Sequence, residues 1–478
     1  MTNEELYHLP ASELLKHIQD EKEHLIKEKI IKKSKPLPPI KDEEKSYELP
    51  EGWEWIRLGE VVNCEDYKRI PISVKDRNFL EKKYRYYGST GVIDYVDSFI
   101  FDGYYLLVGE DGADFIEKKK PVSFIATGQF WANNHVHILS SFFNTTITYL
   151  SYYLNTINYE NIITGTAQKK LNQERLLNIL IPLPPLYIQD QIVQKLEQLS
   201  EIKDSLLSHA ESQLNYTKKM REALLQEAIR GELVPQDENV EPASILLEKI
   251  KAEKDRLIKE KVIKKQKELP PITEEEKPYE LPVNWEWVRL GELITLADNL
   301  NIQSKLNPED RINYLDIDSI DNSNQTIKGV KVEPVKNLST RARRVLKKDM
   351  IVYSMVRPYL KNMAIITEDK ENYIGSTGFI AFNSIFVKKE YIFNFLRSDY
   401  TTNILNSYIT GFNSPSINMD QFNELCIPLP PLAEQERIVA KLDELMANCD
   451  QLEMKAEEMK NYTSKLFEAS LKEAFAPE

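Results

Sequence analysis

The sequence predicts an α+β protein in which two mixed α/β globular domains are separated by long antiparallel coiled-coil helices, with a pseudo-two-fold internal repeat. Residues 11–62 align without a gap to residues 243–294, and about 34 of these 52 positions are identical. A second repeat, IPLPPLYIQDQIVQKLEQL at 181–199, returns as IPLPPLAEQERIVAKLDEL at 427–445. The segments between the repeats, about 63–164 and 295–410, share almost no sequence. One repeated framework therefore holds two different inserts.

The first repeated element is a predicted helix at residues 11–33, followed by KPLPPI at 35–40. Proline ends the helix because it lacks an amide donor and clashes with the preceding turn. The motif ELPEGWEWIRLGEVV follows, in which Trp53 and Trp55 alternate as on a strand. The first insert is rich in Tyr, Phe, Ile and Val with Gly turns, which predicts mostly β structure with some helix. The predicted boundaries are 1–46 for an N-terminal helix, 47–185 for the first domain, 186–279 for a central helical spacer, 280–431 for the second domain and 432–478 for a C-terminal spacer helix.

The long helices are predicted from apolar residues that alternate in steps of four and three, the pattern of a coiled-coil seam. The obvious partner of each helix is the other copy, paired antiparallel. The N-terminal segment and the C-terminal helix together match the central region, so both chain ends are expected near one domain. The first seam contains Ile192, Leu196, Leu199, Lys203, Leu206, Ala210, Gln213, Thr217 and Met220, and the second contains Ile438, Leu442, Leu445, Cys449, Leu452, Ala456, Met459, Thr463 and Leu466.

Composition and motifs exclude several classes of protein. No apolar run approaches the roughly 18 residues of a membrane span, so no membrane association is expected. Three cysteines without a CxxC motif fit a reducing cytoplasm and argue against structural zinc. There is no GxxxxGK[ST], no GxGxxG and no Asn/Asp-Pro-Pro-Tyr/Phe motif, so ATP hydrolysis and methyl transfer are not supported. His135 and His137 form an HxH pair without an evident third ligand, so no metal or cofactor is expected in this chain.

Nucleic-acid binding is suggested by the inserts, although the net charge of −13 works against it. The acidic residues lie mainly in the repeated helical segments, whereas the second insert is slightly basic. Arginine binds guanine bidentately, amides suit adenine, and Lys, Ser and Thr hold phosphates. The alternative is a solvated basic face with buried tyrosines. The candidate DNA-binding residues are Lys82, Lys83, Arg85, Tyr87, Ser89, Thr90, Gln129, Asn133 and Asn134 in the first insert, and Ser339, Arg341, Arg343, Arg344, Lys347, Arg357, Tyr359 and Lys361 in the second.

The order of these segments resembles the specificity subunit of type I restriction–modification systems across essentially the whole chain. The resemblance rests on the two IPLPPL helices, the LVPQD linker at 233–237 and the EPASILLEKIKAEKDRLIKE segment that follows it. It implies a non-catalytic subunit with two target-recognition domains, each of which reads one half of a bipartite site in double-stranded DNA. The helices would set the gap and dock two methyltransferase (M) subunits, which bring S-adenosylmethionine, and endonuclease/translocase (R) subunits would join them.

Two further functions stay open at the level of sequence. A coiled-coil scaffold protein could use two β-rich domains to bind protein partners. An enzyme could carry an unrecognised site in one insert, although the missing motifs disfavour it.

Overall fold

The computed structural model describes residues 3–77, 81–165, 169–409 and 415–475, and the chain divides into two compact units. Unit 1 comprises Met1–Ala210 and Glu457–Glu478, and unit 2 comprises Glu211–Ala456. The N-terminal segment and the end of the C-terminal helix thus belong to the same unit, where the Tyr47 hydroxyl donates to the Phe475 carbonyl. Among the helices described, none is both long and apolar enough to span a bilayer.

Unit 1 contains a six-stranded sheet and a separate two-stranded ribbon, with helices packed around them. Its helices are α1 (Asn3–Tyr7), α2 (Ala11–Lys27), α3 (Leu58–Val61), α4 (Val74–Arg77), α5 (Asn144–Thr156), α6 (Gln173–Leu177) and the start of α7 (Leu186–Arg230). Its strands are β1 (Glu54–Arg57), β2 (Asn63–Cys64), β3 (Tyr84–Gly88), β4 (Gly91–Val96), β5 (Phe101–Gly109), β6 (Ser123–Ala132), β7 (Val136–Ser140) and β8 (Leu180–Leu183).

The six-stranded sheet has the order β2-β7-β5-β6-β3-β4, with β3 parallel to β6 and the other pairs antiparallel. Successive side chains of a strand point to opposite faces. On β7, Ile138 joins one apolar cluster and Leu139 joins another. Both faces of this sheet are therefore covered at its centre, which explains why four of the five β7 residues are buried.

Unit 2 differs in its sheets, with two four-stranded sheets of order β10-β19-β16-β17 and β14-β11-β18-β15. Its helices are α8 (Ala243–Lys259), α9 (Leu290–Leu293), α10 (Ile302–Lys305), α11 (Lys389–Arg397), α12 (Asp399–Ser407), α13 (Met419–Asn423) and α14 (Leu432–Phe475), which continues into unit 1. Its strands are β9 (Glu286–Arg289), β10 (Ile294–Leu296), β11 (Arg311–Leu315), β12 (Ile320–Asp321), β13 (Thr326–Ile327), β14 (Lys331–Pro334), β15 (Ala342–Val345), β16 (Ile351–Ser354), β17 (Met363–Ile365), β18 (Tyr373–Ser376), β19 (Phe379–Ser384) and β20 (Cys426–Leu429).

The repeated frame has the same construction in both units. In each unit a WEWxR strand pairs antiparallel with the IPLPPL strand, as β1 with β8 and as β9 with β20. The buried Arg57 bonds Glu44 at 2.9 Å, and the buried Arg289 bonds Glu276 at 2.7 Å. Each guanidinium also donates to two proline carbonyls of the preceding segment, Pro38 and Pro39 or Pro270 and Pro271. These arginines therefore fix the proline-rich segment against each ribbon.

A half-buried lysine fixes the first helix of each repeat in the same way. The Lys22 ammonium donates to the Gly59 carbonyl at 2.8 Å, and the Lys254 ammonium donates to the Gly291 carbonyl at 2.6 Å. Burial lowers the pKa of each lysine to about 8. A charged group at this depth is stabilised by carbonyl oxygens, so the pair ties α2 to α3 and α8 to α9.

The long helices α7 and α14 run antiparallel, as predicted. In unit 1 the Lys203 ammonium lies 4.4 Å from the centre of the Phe467 ring. In unit 2 Arg221 bonds Glu453 at 3.1 Å and Asp450 at 2.5 Å. The chain thus combines mixed α/β units with long paired helices, and the predicted fold class is confirmed.

The predicted seam is correct for one of its two positions per heptad and only in part for the other. Leu196, Ala210 and Cys449 are buried, and so are Thr217 and Ala456, each seven residues after one of them, whereas four residues of the other position are exposed. The seam is therefore narrower than the sequence predicts, with one covered residue per heptad along both helices. The exposed seam residues are Leu206, Met220, Leu452 and Leu466.

Candidate nucleic-acid interface

The β3–β4 hairpin of unit 1 carries the first group of candidate residues. Lys83 and Arg85 are exposed, and Ser89 and Thr90 are half-buried in the turn between the strands. Lys82 is also exposed, and its ammonium bonds Asp94 at 2.8 Å, a carboxylate that Arg77 bonds at 2.9 Å as well. Tyr87 is a correction. It is only 4% exposed, and its ring packs against Phe124 and Phe130 in the core.

The amide candidates of the first insert lie near the ends of β5 and β6. Gln129 is exposed and donates to Asp102 on the neighbouring strand at 3.0 Å. Asn134 is exposed, whereas Asn133 is 8% exposed and its side chain accepts from the His135 amide at 2.8 Å. Asn133 is therefore a turn-stabilising residue, which corrects its assignment to DNA.

The histidine pair does not form an open metal site. The His137 ring is buried, with one nitrogen 2.5 Å from Asp66 and the other 2.8 Å from the Leu171 carbonyl. Asp66, Glu110 and His137 offer ligand atoms close to one another. Arg69 and Lys170 already pair with Glu110 at 2.7 and 2.9 Å, so this cluster is compensated by cations of the chain itself.

In unit 2 the basic segment 338–349 forms β15 and its flanks, at the edge of a four-stranded sheet. Ser339, Arg341 and Lys347 are exposed. Arg343 is half-buried and donates to the Thr340 carbonyl at 2.7 Å. Arg344 is also half-buried. It donates to the Phe379 carbonyl at 3.2 Å and to the Asn299 amide oxygen at 3.1 Å, and burial lowers the pKa of its guanidinium.

The remaining candidates lie in the loop between β16 and β17. Arg357 is exposed in the left-handed conformation with φ 51°, and its backbone amide donates to the Pro415 carbonyl at 2.8 Å. Tyr359 is also exposed. Lys361 is a correction, because its ammonium bonds Asp399 at 2.9 Å and approaches Glu222 at 3.4 Å.

Fewer candidate DNA-binding residues are free to bind DNA than the sequence predicted, and they do not all lie on one surface. In the part of unit 2 that the structure describes, Arg341, Arg343 and Arg357 have no carboxylate partner. In unit 1, β3 pairs with β6, and Arg85 on β3 lies opposite Phe130 on β6. Gln129 is the residue before Phe130 on the same strand. Alternate residues face opposite sides of a sheet, so Arg85 and Gln129 do not form one continuous surface. The geometry can provide unpaired cations for phosphates and a few groups for base edges.

Comparison with known proteins identifies this arrangement. The family model for the type I restriction modification DNA specificity domain matches twice, at residues 50–216 and 282–459. Each match contains one insert with the ribbon strands and the long helix that flank it. The two matches together cover more than half of the chain.

Curated relatives match over nearly the full length. The specificity subunit of the type I restriction enzyme EcoAI from Escherichia coli is 30% identical over 93% of this chain and 86% of the relative. The corresponding subunit of EcoEI from Escherichia coli is 28% identical over the same shares. Both relatives are specificity subunits, which confirms the prediction that this chain is a specificity subunit rather than a catalytic one.

Two solved structures share the fold. The HsdS subunit from Thermoanaerobacter tengcongensis aligns with a TM-score of 0.51 and 19% identity, over 91% of this chain and 99% of that one. A chain from a structure on complex assembly and conformational transition of the type I R-M system aligns with a TM-score of 0.55 and 19% identity, over 90% and 99%. The chain therefore belongs to the family of type I restriction–modification DNA specificity subunits.

Proposed function

We propose that this chain gives a type I restriction–modification complex its DNA sequence specificity, with each unit reading one half of a bipartite duplex site. The observation that carries the proposal is that one family domain occurs twice on the same frame, with inserts of different sheet topology. Two equal frames present their inserts in equivalent ways, whereas two different inserts bind different base sequences. A scaffold for protein partners is not favoured, because the family is one of DNA specificity subunits.

The partners in this proposal are two methyltransferase subunits, which bind S-adenosylmethionine, together with endonuclease/translocase subunits, in the cytoplasm. Exposed apolar side chains support docking on the long helices. Tyr216 and its repeat equivalent Tyr462 are 69% and 70% exposed, and Leu206 and Leu452 form a second equivalent pair. Exposed apolar residues that recur at equivalent positions fit two copies of one partner.

Methylation mapping tests the proposed function. A host that expresses the chain with its methyltransferase subunits should gain one methylated motif, made of two short specific halves separated by a gap of fixed length. The same host with the methyltransferase alone is the control and should lack the motif. A continuous motif, or no motif in a complex that contains both subunits, would contradict the proposal.

The unpaired arginines of unit 2 provide a prediction about affinity. Replacement of Arg341, Arg343 and Arg357 by Ala should weaken binding of the assembled complex to duplex DNA. Removal of a side chain that binds phosphate should lower the salt slope by about one for all sequences, and removal of a side chain that reads a base should cost about 1–3 kcal/mol on the cognate site alone. Filter binding at several salt concentrations measures both effects.

A matched control removes three cations that are already paired. Lys331, Lys336 and Lys389 bond Asp316, Glu309 and Asp349 in the same unit. Their replacement by Ala should change the salt slope less than the arginine variant does. Normal cognate binding by the arginine variant would remove these three residues from the interface.

A further inference from the structure

A run of exposed lysines occurs twice in the frame, outside both inserts. We name residues 27–35 basic loop 1 and residues 259–267 basic loop 2. Both loops have the pattern KEK-Ile/Val-IKK-x-K, with five lysines and one glutamate. All ten lysines are exposed, and within the residues that the structure describes none pairs with a carboxylate. They are Lys27, Lys29, Lys32, Lys33 and Lys35 in loop 1, and Lys259, Lys261, Lys264, Lys265 and Lys267 in loop 2.

The two loops have the same conformation at both ends. Where each loop leaves its helix, the Ile30 amide donates to the Leu25 carbonyl at 2.9 Å, and the Val262 amide donates to the Leu257 carbonyl at 2.9 Å. Beyond each loop, an arginine of the two-stranded ribbon donates to the carbonyls of two successive prolines. Both bonds are 3.4 Å long for Arg57 and 3.1 Å long for Arg289. Each unit therefore presents its lysines on an equally anchored backbone.

Each loop also keeps a lysine where glycine would be more favourable. Lys29 has φ 63° and Lys261 has φ 59°, the left-handed conformation that follows a helix C-terminus. Glycine is preferred at this position because a Cβ is unfavourable there. A residue held in an unfavourable conformation twice, in two equivalent loops, indicates a use for its side chain.

Basic loop 1 lies beside the first insert. In loop 1 the Lys32 ammonium lies 4.1 Å from the centre of the exposed Tyr67 ring. The turn that contains Tyr67 ends at Arg69, which donates to the carbonyl of Asn134, a candidate of the first insert, at 3.4 Å.

We infer that basic loops 1 and 2 bind the phosphate backbone of duplex DNA, each next to the half-site that its own unit reads. This inference rests on the proposed function, because it requires duplex DNA as the ligand. The ligand must be the same at both loops, although the inserts differ, and the phosphate backbone is the part of DNA that does not depend on sequence. Protein–protein interfaces are depleted of lysine, whereas protein–DNA interfaces are strongly positive. The lysines thus provide local positive charge for DNA, although the net charge of the whole chain is −13.

The first experiment measures how DNA affinity depends on salt. The variant is the full chain, copurified with its methyltransferase subunits, and it is titrated with a cognate and a non-cognate duplex. Its six residues replaced by Gln are Lys32, Lys33, Lys35, Lys264, Lys265 and Lys267. Removal of one lysine that binds a phosphate should lower the slope of log K against log salt by about 0.9, which is about eightfold in affinity at 0.1 M salt. With at least one phosphate bound per loop, we expect the slope to fall by about two, equally on both duplexes.

A two-charge comparison controls for net charge. The variant K33Q/K265Q removes one repeated lysine from each loop. The variant K16Q/K251Q removes two exposed lysines of the same helices α2 and α8 that are not repeated, since Glu248 and Gln19 occupy the equivalent positions. Only K33Q/K265Q should lower the slope.

The variant K29G/K261G separates DNA binding from a structural role. Glycine relieves the left-handed backbone, so this variant should have a higher Tm and yet a lower salt slope. Unchanged slopes for this variant and the six-residue variant would overturn the inference. Loss of methyltransferase from the complex in gel filtration without DNA would also overturn it, because the loops would then be a protein-docking surface. A wild-type complex that prefers no bipartite site would contradict the proposed function, while equal weakening on all duplexes would still support the loop inference.

Discussion

Exchange of the first insert for that of a relative with a different target is expected to change one half of the methylated motif and to leave the other half and the gap unchanged. The frame contacts made by Arg57 and by the β1–β8 ribbon lie outside the insert, so they survive the exchange. Each mismatched base pair costs about 1–3 kcal/mol. Methylation of the old half-site should therefore fall by about five- to 150-fold per base pair, and methylation mapping reads this directly.

The structure sets the boundaries of that exchange. The sequence suggests residues 63–164, but Glu110 and His137 bond Lys170 and the Leu171 carbonyl beyond that limit. An exchange that ends at 164 would separate these partners, so residues 63–178 should be moved as one piece. The reciprocal exchange is the control and should change the opposite half; it should move residues 295–424, because Arg357 and Met355 bond Pro415 and Ile417. If either exchange altered both halves, the units would not read the site independently.

The frame could be predicted from the sequence because it is repeated. Identity between 11–62 and 243–294 is sufficient to delimit the helix, the proline segment and the ribbon strand. Arg57 and Lys22 recur as Arg289 and Lys254, but the sequence alone assigned them no role. A charged residue retained in both repeats is the signal that could have found them, and in the structure each of them donates hydrogen bonds that hold the frame together.

The insert residues could not be assigned with the same success, since their environment depends on distant partners. Tyr87 is buried because β6 brings Phe130 against it, and Lys361 is neutralised by Asp399, which lies 38 positions away. Composition identifies basic and aromatic residues, but it does not distinguish a free cation from a paired one. Arg341 and Arg357 were predicted to bind DNA on the same grounds as Arg344, which is half-buried. The DNA role of the residues that are free remains a proposal.

The seam shows a third limit. A 3.5-residue pattern places two residues per heptad on the seam of helices of 45 and 44 residues, but only one of these two positions is never exposed. Leu206 and Leu452 therefore fit the pattern and still face solvent. Their exposure was not visible in the sequence, because an apolar residue on a helix has the same periodicity whether it binds its own chain or a partner.

Lengthening both long helices by one heptad is expected to widen the gap between the two half-sites. Residues 204–210 of α7 and 460–466 of α14 would each be duplicated, next to the contacting pair Lys203 and Phe467. Seven residues add about 10.5 Å at 1.5 Å per residue, and DNA rises about 3.4 Å per base pair. If the helices set the spacing, the gap should grow by roughly three base pairs while both half-sites stay the same.

The added rise also rotates one half-site about the DNA axis, so methylation should fall in amount even where the wider site is used. Duplication in α7 alone is the control. It displaces Arg221 by two turns from Asp450 and Glu453 or forces the added turns out of the pair, so this variant should lose stability and give no methylated motif. Methylation mapping of the double duplication decides the matter, because an active variant with the original gap would show that α7 and α14 do not measure the distance between the half-sites.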